Sequence, residues 1–269
     1  MKNVLQLIIK FFSSFFNSIP VYGSGMIKSP LDKRDLIYKP ASSTIEDEFC
    51  LDKKLFKSKN QAWTNACVAF STCSLYEYLW QKDRGEYVDF SEMFLWWNAR
   101  KMIGYEKDNK GCHIRDAFKF IKANGLCMEK HWPFSKNYKT KPALKAYTSA
   151  HFFDLFFPDV NYYKVFTSRI KKTLNDGHPV VFGLPLWKQN LRPSGDGIIK
   201  TPTTEWGNPS FYHAMIIIGY RKINSKNYYI VLNSWGDSWG QANYGYFEED
   251  YVKQKGFDFW TVRGALERK

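Results

Sequence analysis

The chain has 269 residues, and 39 Lys+Arg against 26 Asp+Glu give it a formal net charge of +13. With 44% hydrophobic and 18% aromatic residues, it is too apolar for a disordered chain, and its apolar runs are too interrupted for a multi-span membrane protein. Its lysines are scattered (Lys53, Lys54, Lys57, Lys59; then Lys136, Lys139, Lys141, Lys145) and form no block or stripe, so no specific nucleic-acid footprint is expected.

Residues 1–26 stand apart as a leader or amphipathic segment. Lys2, an apolar run and the ending Val21-Tyr22-Gly23 suit a signal cleaved after Gly23. Against that, Val4, Ile8, Phe11, Phe12, Phe15 and Ile19 recur at helical spacing, as on an amphipathic surface helix. Leader peptide, surface anchor and docked helix stay open. Secretion, or a place at the membrane surface with weak lipid contact, follows only if residues 1–23 act as a leader.

Helical patterns follow an irregular stretch over residues 24–62. Ala69, Cys73, Tyr76 and Trp80 share one face of a helix that starts at Cys67, with Gly85 beyond its end. Ser91 caps a second helix stopped by Gly104, and a third runs from Ile114 to Gly125. The second half turns to short β-rich runs: PVVFGLPLW, HAMIIIGY, YYIVLNSW, YGYFEE and FDFWTVR. Asn224 to Asn227 reads as a hairpin turn between two of them. Helices first and strands afterward predict an α+β fold of two lobes with a cleft between them. The helical lobe is expected at residues 27–148 and the β-rich lobe, barrel-like, at 149–269.

The five cysteines (Cys50, Cys67, Cys73, Cys112, Cys127) form no CxxC pair, so neither a zinc knuckle nor a thioredoxin-type motif is indicated. Their odd number leaves at least one thiol free. No metal or organic cofactor is called for.

Four residues bring chemistry together. Gln61 precedes Cys67 by six positions, Cys67 opens a helix, His213 leads an apolar strand, and Asn233 follows His213 by twenty positions. A thiol at a helix N-terminus meets unshared N–H groups and the positive end of the dipole, which favour thiolate. An imidazole can hold the displaced proton, and an amide oxygen can orient that imidazole.

QAWTNACVAFS, YHAMIIIGY and VLNSWGDSWGQANYGYF together resemble the three signature blocks of papain-like, cathepsin-type cysteine peptidases. FSEMFLWWNAR and GCHIRDAFKFIKANGLCMEKHWPF resemble that family's helical lobe, and SPLDKRDLIY is similar to members from bacterial and viral genomes. The resemblance covers roughly residues 27–262. It implies Cys67 as nucleophile, His213 as base then acid, and Asn233 as its orienter. The Gln61 amide and Cys67 N–H would form an oxyanion hole. Trp235 would shield the His213–Asn233 bond, with Gly111, Cys112 and Tyr212 along the substrate cleft. Thr64 stands where the family places a cysteine, so the disulfide beside the nucleophile is expected to be missing.

The resemblance implies a monomer that hydrolyses peptide or protein substrates through an acyl-enzyme. Peptide ligation or transpeptidation at the same site, or a non-catalytic peptide-binding relative, are the alternatives. Because only 66 residues precede Cys67, the leader is expected to target or anchor the enzyme, with any latency coming from another source.

Overall fold

The computed structural model describes residues 25–263 apart from 42–43, 136, 155–159, 192 and 194. The expectations about residues 1–24 lie outside the described residues. In chain order the regular elements are β1 (Phe49–Cys50), α1 (Cys67–Arg84), α2 (Glu92–Lys101), α3 (Ile114–Asn124), α4 (Leu144–Asp154), β2 (Asn161–Lys164), α5 (Ile170–Asn175), β3 (Val180–Leu186), β4 (Ile198–Ile199), β5 (Phe211–Ile223), β6 (Lys226–Leu232), β7 (Tyr244–Glu248), α6 (Glu249–Lys255) and β8 (Phe257–Arg263).

Helix α1 starts where Ala66, with no side-chain oxygen, offers its first turn no cap, and it ends where Gly85 turns left-handed at φ 74°. The sequence stripe is only one of its buried faces. Ser71, Thr72, Ser74 and Glu77 are buried as well, because the helix lies between α2 and α3 on one side and β5 on the other. Its interior polar groups find local partners: Ser71 Oγ donates to the Cys67 and Val68 carbonyls.

Ser91 caps α2 as its sequence implies, its Oγ accepting from Phe94 N–H at 3.1 Å. The regular helix stops at Lys101. The Ile103 and Gly104 N–H groups reach back only three residues, to Arg100 and Lys101, so the last turn tightens before Gly104 ends it.

The β-rich half is one eight-stranded sheet in the order β2-β8-β3-β5-β6-β7-β4, with β1 added along β5. Its pairs are antiparallel except β4 with β7. β3 is buried at every residue, which is why it reads as an unbroken apolar run. The β5–β6 hairpin closes at Ile223↔Lys226 around Asn224 and Ser225 with φ 48° and 65°, the paired left-handed residues of a type I′ turn. The division at 148/149 falls inside α4, and β1 carries early chain onto the sheet. The β-rich lobe thus takes in a segment from the first half of the chain. Among the described residues no helix is long and apolar enough to cross a membrane.

Candidate active site

The three sequence blocks converge where the N-terminus of α1 meets β5. Cys67, the first residue of α1, is wholly buried. The backbone N–H groups of Ala214, Gly25, Val68 and Cys67 itself are directed at its sulfur. Ala214 follows His213 on β5, so the strand reaches the thiol with the N–H next to the imidazole-bearing residue.

His213 is also wholly buried, and its Nε2 lies 2.8 Å from Asn233 Oδ1. The Ser234 N–H donates to the same Oδ1 at 2.7 Å. A backbone N–H can only donate, so Oδ1 is the acceptor and Nε2 carries the proton. That tautomer leaves the Nδ1 lone pair to take a proton, and Nδ1 makes no hydrogen bond. The Trp235 ring stacks on the imidazole, centroids 4.5 Å apart, and keeps water from the His213–Asn233 pair. The loop holding Asn233 and Trp235 is fixed by Asn243. Asn243 O accepts from Asn233 N–H, and its Oδ1 accepts from Trp235 N–H.

Gln61 is buried in the turn before α1. Its Nε2 donates to Thr64 O at 2.7 Å, and its Oε1 accepts from Ser234 Oγ at 2.5 Å. The acceptor-only carbonyl fixes which end of the amide is nitrogen. Nε2 is thus the donor end of the amide. Ser234 was not singled out from the sequence, although it sits inside NSWG; only the fold shows that it aims Gln61. Thr64 Oγ1 donates to Gln61 O, so the residue in the family's cysteine position closes this turn. All five cysteines are free thiols.

The sequence pattern described as papain family cysteine protease matches residues 48–258, well over half of the chain. This chain belongs to the papain family. An uncharacterized peptidase C1-like protein of Acanthamoeba polyphaga mimivirus is 26% identical over 278 residues, covering 90% of this chain and 87% of that protein. Peptidase 1 of Dermatophagoides farinae is 27% identical over 196 residues, covering 70% of this chain and 56% of its own length. The chain spans little more than half of that mite relative and 53% of an Arabidopsis thaliana one. Among solved structures, xylellain, a cysteine protease from Xylella fastidiosa, superposes with a TM-score of 0.82 at 23% identity, covering 93% of this chain and 98% of xylellain. The two-lobed α+β architecture is thus that of the papain family.

In this papain-family chain the cleft is filled by the chain itself. Met26 N–H donates to Tyr212 O at 3.3 Å and Ile27 N–H to Cys112 O at 3.1 Å, so a short strap bridges the two cleft walls. It fits only because both sides are glycine where they cross. A Cβ on Gly111 would lie 0.8 Å from Gly25 O, and one on Gly25 would lie 2.5 Å from Asn65 Cβ. Cys112 and Tyr212 therefore line the cleft through their carbonyls, and Gly111 through its missing side chain. A cleft strap needs no core of its own, because the walls supply its hydrogen bonds.

Burial acts on both reacting groups. Burial pushes the Cys67 thiol up to about 11, against the four N–H groups directed at it. Burial holds His213 down to about 4, against its bond to Asn233. Both shifts run against the expected thiolate–imidazolium pair.

Behind Gln61, Lys59 Nζ meets Glu77, Asp89 and Glu92 at 2.6, 2.8 and 2.5 Å. These are the carboxylates among the described residues close enough together to hold a metal ion, but the cation at their centre is the Lys59 ammonium. Burial disfavours that charge, yet Glu92 and Glu77 outweigh it and hold Lys59 well above its usual range. The Lys59 carbonyl accepts from Gly236 N–H and Asn243 Nδ2, both at 3.0 Å. The cluster thereby ties α1 and α2 to the loop that carries Asn233 and Trp235.

Proposed function

We propose that the chain hydrolyses peptide bonds through a covalent acyl-enzyme on Cys67. The observation that carries this reading is His213, fixed by Asn233 at 2.8 Å with Nδ1 unpartnered, one residue before the N–H directed at Cys67 Sγ. With a peptide in place of the strap, His213 Nδ1 takes the Cys67 proton and the sulfur adds to the carbonyl carbon. The oxyanion is held by the Cys67 N–H and the Gln61 side-chain amide. Collapse breaks the C–N bond as His213 returns the proton to the leaving amine. Water, deprotonated by His213, then releases the acid and restores the thiol. An extended substrate backbone would bond to the Cys112 and Tyr212 carbonyls that now hold the strap.

Mass-spectrometric mapping of cleavage in a diverse peptide library, with Cys67→Ala as control, tests this. Cleavage by the parent chain alone supports it. Added primary amine separates hydrolysis from transfer, because amide products at the cleavage site would mean that an amine resolves the acyl-enzyme better than water. No cleavage under any condition that exposes Cys67 would overturn the reading.

A further inference from the structure

A pair of asparagines joins the turn before the nucleophile to the cleft wall beside it. Asn65, two residues before Cys67, donates its backbone N–H to Asn109 Oδ1 at 2.9 Å and its Nδ2 to Asn109 O at 2.6 Å. A backbone group fixes the orientation of each amide, since an N–H only donates and a carbonyl only accepts. Asn109 Nδ2 also reaches the Trp63 carbonyl at 3.5 Å. With all five thiols free, no disulfide ties these two segments, and the link between them is made of hydrogen bonds.

Asn109 is itself held from behind. On α2 the wholly buried Arg100 packs over the Trp96 ring, 3.7 Å from its centroid, and donates to the Asp108 and Tyr138 carbonyls. Trp96 Nε1 donates to Lys110 O at 3.0 Å. The residues on both sides of Asn109 are thus tied to one helix. Gly111, two residues further on, shows how close the wall stands to the turn. A Cβ on Gly25 would lie 2.5 Å from Asn65 Cβ and 3.0 Å from Gly111 N, so the gap is one backbone wide. Gln61 is tied to the other lobe through Ser234; Asn65 is the tie to the wall that carries Cys112. We propose that Asn65 and Asn109 are positioning residues. They hold the Cys67 N–H and the Gln61 amide at a set distance from the Cys112 carbonyl, so that a peptide backbone bound on that wall meets the oxyanion hole in register. The proposal rests on the reading of Cys67 as the nucleophile.

Full-length Asn109→Ala and Asn109→Asp, compared with the parent, test it. Alanine removes the acceptor of the Asn65 N–H, whereas aspartate keeps an oxygen there and the backbone carbonyl that takes Asn65 Nδ2. In peptide hydrolysis Asn109→Ala should lose kcat on the order of 10- to 100-fold, the scale of a small misplacement of reacting groups. KM should change little, because the wall that binds the ground-state backbone is still present. Asn109→Asp should keep most of the parent kcat. Independently of activity, hydrogen exchange at the Asn65 amide, read by NMR, should speed roughly tenfold in Asn109→Ala and stay slow in Asn109→Asp. Unchanged kcat in Asn109→Ala, a loss that falls on KM, or an aspartate variant as impaired as the alanine one would overturn the proposal, and so would unchanged exchange at Asn65. If the parent cleaves no peptide, the peptidase reading fails, while exchange at the Asn65 and Cys67 amides still decides whether the pair fixes the turn.

Discussion

Replacing Lys59 by Met tests how the buried carboxylate cluster supports the site. Lys59, Glu77 and Glu92 are 12%, 3% and 4% exposed at their side chains, so the pair cannot be treated as a screened surface contact. Removing one partner of a buried pair leaves an uncompensated charge and costs about 3–5 kcal/mol. For a chain of this size that lowers Tm by roughly 6–20 °C. The deficit should depend on pH with a definite sign. Burial already raises Glu77 to about 7 from an unfolded value of 4.5, with Lys59 opposing the rise, and Glu92 is raised in the same direction. Without Lys59 both carboxyls move further up, so the folded variant binds more protons than its unfolded chain. Such stability is fully present below the unfolded value and is lost as pH rises through the folded one. Near pH 5 the variant should melt close to the parent. Each further pH unit over which it holds one extra proton adds about 1.4 kcal/mol of deficit, so the gap should be widest near pH 8. Thermal unfolding of parent and Lys59→Met at pH 5 and pH 8 measures this. Equal deficits at the two pH values, or no deficit at pH 8, would show that the ammonium does not hold this cluster.

The assigned roles order the kinetic variants. Cys67→Ala should abolish peptide hydrolysis and Asn233→Ala should leave residual turnover. Gln61→Ala should sit between them, losing on the order of 10²–10³ in rate as one oxyanion donor is removed. Ser234→Ala, which frees the Gln61 amide to turn, should lose less than Gln61→Ala; equal or no loss would deny it that positioning part. In the full chain, with the thiol buried up to about 11 and His213 down to about 4, iodoacetamide labelling of Cys67 should climb steadily toward high pH. A plateau reached at mildly acidic pH would mean a standing thiolate. Reducing agent should leave Tm unchanged, since all five thiols are free, whereas losing a structural bridge would cost about 2–5 kcal/mol.

What the sequence by itself determined is local and chemical. Ser91 at a cap, Gly85 past a helix end, Asn224 in a two-residue turn and the unbroken apolar run of β3 are each written within a few neighbouring residues, because capping, turn and strand preferences act over that range. The proposed catalytic types and their order were readable for the same reason, as Gln61, Cys67, His213 and Asn233 lie inside short motifs. Tertiary structure decided what depends on distant segments meeting. The polar side of α1 is buried because a second layer covers it, which no period in its own sequence records. Lys59 needed Glu77 from one segment and Asp89 and Glu92 from another, and Ser234 needed Gln61 from 173 residues away. Gly25 and Asn109 carry no motif at all. Their part follows from the closeness of two backbones and the reach of one side chain.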